Sequence, residues 1–121
     1  NGLPVIQPEI KHWNLQKMQV EGWINQFKNL PCHLVVTCRE HKTQDEVTKK
    51  WLYQAMLPGK LARNLPSLFD EVLWVSMNEK GIPVLQCKSY DLKEARDRSR
   101  CLPTWVEDPT FTKIFDFMKL T

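Results

Sequence analysis

The chain has 121 residues, 42% of them hydrophobic and 26% charged, and its 17 lysines and arginines exceed its 14 acids by three. That length suits one hydrophobic core rather than two domains; the apolar content argues against wholesale disorder, and so small a positive excess against a polycationic DNA binder, although a local basic site is compatible with it. No apolar run approaches the ~18 residues of a membrane span, and the opening NGLPVIQPEIKHW lacks the charged start and apolar stretch of a signal peptide, so a soluble cytoplasmic protein is expected.

Pro4 and Pro8 keep the opening extended. From His12 to Asn29, Trp13, Val20, Trp23, Ile24 and Phe27 recur mostly three or four residues apart, which predicts an amphipathic helix ending at Leu30 and Pro31. The β-branched run His33–Cys38 (HLVVTC) predicts a buried parallel strand, and the ionisable stretch Arg39–Lys50 a solvated loop at its C-terminal end. Trp51–Met56 reads as a further strand or hairpin arm closed by Pro58 and Gly59, followed by a short helix over Lys60–Leu68. Asp70–Met77 and Pro83–Tyr90 form a predicted β-hairpin around the turn residues Asn78–Gly81. The basic stretch Lys93–Arg100 and a turn-rich CLPTWVEDP then lead to a final helix over Thr110–Leu120, whose Phe111, Ile114, Phe115 and Met118 share a face and dock on the sheet.

The four cysteines, Cys32, Cys38, Cys87 and Cys101, do not spell a disulfide framework or a zinc knuckle; Cys32 and Cys38 read as small buried hydrophobes. Gly59-Lys60 resembles the end of a phosphate-binding P-loop, but Gln54 stands where that motif needs its first glycine and Leu61 where it needs a magnesium-binding hydroxyl, so it reads as a turn. Thr37, Arg39, Glu40 and His41 emerge together at the end of the predicted strand, either as an anion-sensing cluster or as the start of a charged loop. Arg96, Arg98 and Arg100 would share a side if extended, suited to phosphate oxygens or else neutralised by Asp91, Glu94 and Asp97. Of the five tryptophans, Trp23 and Trp74 lie in apolar segments and read as core, whereas Trp51, beside Lys49 and Lys50, is the candidate for exposed stacking on bases.

The order of these segments resembles the phage-encoded RecA-like nucleotide-binding proteins that accompany single-strand annealing and recombination. The resemblance is carried by Leu30-Pro31, the HLVV strand ending in Thr37-Cys38-Arg39-Glu40, the Pro58-Gly59-Lys60 turn, Leu68-Phe69-Asp70-Glu71-Val72, the Ala95-Arg96-Asp97-Arg98 motif and the Leu102-Pro103 turn. Arg39 replaces a usual histidine, and Arg96 a usual lysine. The resemblance implies an α/β fold, part of a RecA-like P-loop NTPase core with its later parallel strands, a β-hairpin and flanking helices. It also implies that Arg96 and Arg98 reach the nucleotide phosphates of a neighbouring protomer, with Arg98 as the arginine finger, and that Thr37, Arg39 and Glu40 form a sensor at the end of the strand beside the one bearing the metal-binding acid.

The implied cofactors are ATP and Mg2+ in the complete ATPase, and the implied partners are further copies of the chain, single-stranded DNA and a single-strand annealing protein in the host cytoplasm. The family carries its P-loop and Walker B acid upstream of the helix, and neither motif occurs in these 121 residues. The expectation is a C-terminal part of an ATPase that does not hydrolyse ATP by itself. A non-catalytic module that self-associates or binds a partner protein is the alternative.

Overall fold

The computed structural model describes residues 10–57 and 59–120. The expected extended lead-in at Pro4 and Pro8, and Pro58 of the Pro-Gly-Lys turn, lie outside them. The first element is helix α1 (Ile10–Lys28), close to the predicted span. Ile24 is its buried anchor, packed with Leu61 and Leu65 in a small cluster fringed by Val20, Leu57, Leu68 and Phe69. The last turn of α1 is tied to the same unit by the Lys28 ammonium, which donates to the Leu68 carbonyl. Leu61 and Leu65 come from the single-turn helix α2 (Leu61–Asn64) and the 3-10 turn Leu65–Leu68, together matching the predicted short helix. Trp23, expected in the core, faces solvent with Leu15, Met18 and Phe27, because Ile24 rather than Trp23 is turned toward α2.

Between α1 and the first strand the structure departs from expectation. His33–Cys38 is extended but not a strand, and none of its backbone groups makes a hydrogen bond among the described residues. A parallel strand requires a neighbour to complete its ladder. No described segment pairs with this run as a strand; His33 meets the Phe115 ring at 4.8 Å, but Val35 stays 61% and Val36 44% exposed. Every strand pairing described is antiparallel, so the fold is α/β with small antiparallel sheets. Cys32 and Cys38, expected to be buried, are exposed for the same reason; Cys87 is the buried thiol, and all four cysteines are free.

The expected solvated loop is instead half of a hairpin, β1 (Glu40–Gln44) against β2 (Trp51–Ala55), in register from Glu40↔Ala55 to Gln44↔Trp51. Its tip is held by Asp45, whose carboxylate accepts from the Val47 and Thr48 N–H groups at 2.8 and 2.9 Å. The predicted strand Asp70–Met77 is divided into β3 (Glu71–Val72) and β4 (Trp74–Met77). Strand β4 pairs with β5 (Pro83–Gln86) as the expected hairpin, and the Asn78 side-chain oxygen accepts from the Lys80 and Ile82 N–H groups to close the turn. β6 (Arg96–Asp97) pairs with β3, and β7 (Trp105–Glu107), expected as turn, joins β5 to complete a three-stranded sheet.

Leu85, Cys87, Leu102 and Val106 form the second buried cluster, closed by Leu73 and by Ile114 and Met118 of α3 (Phe111–Met118). The helix begins where Thr110 accepts from the Lys113 N–H at 3.1 Å, a side-chain N-cap, and ends at Lys119 in the left-handed region. The expected docking of the final helix on the sheet is therefore observed. No helix among the described residues is long and apolar enough to cross a membrane.

Candidate functional site

Pairing of β6 with β3 sets Asp97 opposite Glu71 and Arg96 opposite Val72. Arg96, Arg98 and Arg100 are exposed and Asp97 and Ser99 half-buried, but only Arg96–Asp97 is strand: Arg98–Arg100 is a turn in which the Arg100 N–H donates to the Asp97 carbonyl, so the extended run that would put three guanidiniums on one side is not formed. They do not form one fork. Arg96 donates to the backbone carbonyls of Pro66 and Phe69, gripping the end of the 3-10 turn. Arg98 pairs with Asp70 at 2.8 Å, its side chain 79% and that of Asp70 72% exposed. Arg100 sits in a left-handed turn (φ 58°) and lines an open cavity of about 340 Å³ with Cys87, Lys88, Ser89, Ala95 and Asp97.

The inward side of the ribbon is acidic. Asp97 accepts from the N–H and hydroxyl of Ser99 and from the Leu102 N–H, which fixes the turn leading into the core. Burial alone would raise its pKa, but the Ser99 hydroxyl, the Leu102 N–H and the facing Glu71 hold the carboxyl below its ordinary value. Glu71 goes the other way: burial, followed by a hydrogen bond with Asp97 and the charge of Asp97, pushes it up to about 7. Both Glu71 carboxyl oxygens are shielded from water without a donor, as expected where two carboxylates face each other, and a proton on Glu71 supplies that donor. The Cys87 thiol is pushed up to about 11 by burial and then by the charges of Asp97 and Glu71, which makes it an inert packing group.

The predicted sensor residues lie elsewhere. Thr37 is in the unpaired segment, Arg39 precedes β1, where its carbonyl accepts from the Met56 N–H, and Glu40 opens β1 with its carboxylate 3.4 Å from the Lys93 ammonium. No hydrogen bond or ion pair among the described residues joins this trio to Arg96 or Arg98. Sequence reasoning missed Lys93, which also lies over the rings of Tyr53 and Trp74 at 5.1 and 5.5 Å, and it missed the Glu71–Asp97 pair. Only the strand register brings those acids together; the sequence holds no local signal for it.

The residues around Gly59 do not fit a triphosphate with its Mg2+. Leu61, in the place of a metal-binding hydroxyl, is 1% exposed in the core, and Gln54 is paired with His41 inside the hairpin. No phosphoryl-transfer step is therefore derived from this turn.

Neither the curated proteins nor the solved structures provide a significant match to the chain. A family model does: the one described as AAA domain matches residues 7–99, well over half of the sequence, and the chain accordingly belongs to this ATPase-type family.

Proposed function

We propose that the chain is part of a RecA-like ATPase of phage recombination or replication, and that it presents Arg98 to ATP held by a neighbouring protomer during assembly on single-stranded DNA. The observation that carries this reading is the state of Arg98: its guanidinium is largely in solvent and held by a single exposed carboxylate, that of Asp70. Exposed pairs of this kind contribute only about 0–1 kcal/mol, so exchanging Asp70 for a phosphate costs little. Arg96, tied to two carbonyls, acts as the positioning residue that holds β6 in place. Thr37, Arg39 and Glu40 belong to this reading as residues that reach nucleotide once the run His33–Cys38 is paired.

Turnover tests it. The 121 residues alone bind ATP without appreciable affinity, whereas an assembly that includes a P-loop half binds and hydrolyses it. There, Arg98→Ala lowers turnover by about 10³-fold or more, the scale of an arginine finger. Turnover retained in that variant removes Arg98 from catalysis.

A second reading has its own support. Arg96 and Arg98 each already have a partner within the chain, and α1 exposes Leu15, Met18, Trp23 and Phe27, as a non-catalytic module that self-associates or binds a partner protein would. Concentration-dependent self-association by sedimentation without nucleotide, joined with full turnover in Arg98→Ala, selects it.

A further inference from the structure

We propose that the outer face of the β1–β2 hairpin is a contact surface for single-stranded nucleic acid, with a base stacked on Trp51 and phosphates held by Lys42, Lys49 and Lys50. This deepens the proposed role by locating the partner's contact, yet it stands on the hairpin's own geometry and needs no nucleotide.

The register places Gln44 opposite Trp51 and Lys42 opposite Tyr53, so Lys42 and Trp51 share one face of the ribbon. The indole is 53% exposed, and the Lys42 ammonium lies 5.9 Å from its ring centroid. The tip beyond Trp51 is preformed. Asp45 binds the Val47 and Thr48 N–H groups, the Asp45 N–H donates to the Lys50 carbonyl at 2.8 Å, and the Lys49 N–H donates to the Asp45 carbonyl at 2.9 Å. A loop already held in one conformation loses little entropy on binding.

Charge on the hairpin is sorted as well. Asp45 is paired with Arg63 at 3.3 Å and Glu40 with Lys93 at 3.4 Å, while Lys42, Lys49 and Lys50 have no carboxylate partner among the described residues. Glu46 is the acid left at the tip. The Thr48 and Val47 N–H groups keep the Asp45 carboxyl below its ordinary value, so its charge stays directed into the turn. The Lys42 ammonium over an exposed indole, with Lys49 and Lys50 directly preceding Trp51 in the chain, complements an anionic polymer with accessible ring faces, which a single strand offers and a duplex, with its bases stacked inside, does not.

The test is fluorescence anisotropy of labelled oligothymidylate with the 121-residue chain, without ATP. Trp51→Ala is expected to weaken binding about tenfold or more, and Trp51→Phe to retain most of it. Replacing Lys42, Lys49 and Lys50 by alanine is expected to lower the slope of log affinity against log salt by about 2. The proposal is overturned by binding of Trp51→Ala at wild-type strength, by a duplex binding as tightly as the single strand, or by absence of binding even at about 50 mM salt. It is equally overturned if Trp51→Ala disperses a self-associated species and oligonucleotide binding is unaffected, which would make the hairpin face a contact between copies of the chain. Any of these leaves the Arg98 reading to be decided by turnover.

Discussion

The surroundings of Leu102 and those of Val35 put similar apolar residues to opposite uses. Leu102 is 2% exposed, enclosed by Leu85, Cys87 and Val106 beneath α3, and its N–H is bound by Asp97. Val35 and Val36 lie in an extended run with strand composition, open to solvent and without backbone partners among the described residues. Composition therefore states a preference for burial, whereas burial itself needs a neighbouring surface, which the described residues supply to Leu102 and, in the smaller cluster, to Leu61 and Leu65, but not to Val35 or Val36. An apolar strand-like run left uncovered marks a place where further protein pairs.

Substitution can break or sharpen this contrast. Leu102→Ala is expected to destabilise the fold by about 2–5 kcal/mol, read as a lower urea midpoint, because it opens a cavity in the cluster beneath α3. An intermediate effect is expected at the ribbon that borders the cluster. Glu71 keeps its proton to about pH 7 when folded, while in the unfolded chain it releases the proton near its ordinary 4.5. Between those values the folded state binds more protons, so stability falls as pH rises through this window. Glu71→Gln, which carries a permanent donor toward Asp97, is expected to abolish this part of the fall; identical pH profiles of melting temperature in wild type and variant would show that Glu71 does not titrate there. The smallest effect belongs to Val35→Ser, expected within about 0.5 kcal/mol of wild type, since little is packed on that side chain. A large loss from Val35→Ser would mean that the run is covered in solution.

Much of the local structure is legible in the residues. The spacing of Val20, Ile24 and Phe27 marks α1, Asn78–Gly81 mark the β4–β5 turn, and Thr110 marks the start of α3. Partnership was harder to read. The run HLVVTC carries strand propensity without naming its neighbour. β1 was obscured because Glu40, His41, Lys42, Thr43 and Gln44 place polar residues on both faces, erasing the apolar alternation that identifies strands. β7 is three residues long and enclosed by turn residues, so only its pairing with β5 reveals it. At the candidate site, the spacing of Arg96, Arg98 and Arg100 suggests one shared side, but the chain turns after Asp97, and their divergence onto two carbonyls, Asp70 and an open cavity depends on that turn and on what the 3-10 turn and β3 bring alongside.

The grip of Arg96 on the Pro66 and Phe69 carbonyls ties the two-residue strand β6 to the end of the 3-10 turn. Arg96 opens that strand and is anchored to the exit of the 3-10 turn, while Arg98 follows the strand's last residue and meets Asp70. Arg96 thereby links β6 to the segment whose Leu65, with Leu61, packs beneath α1.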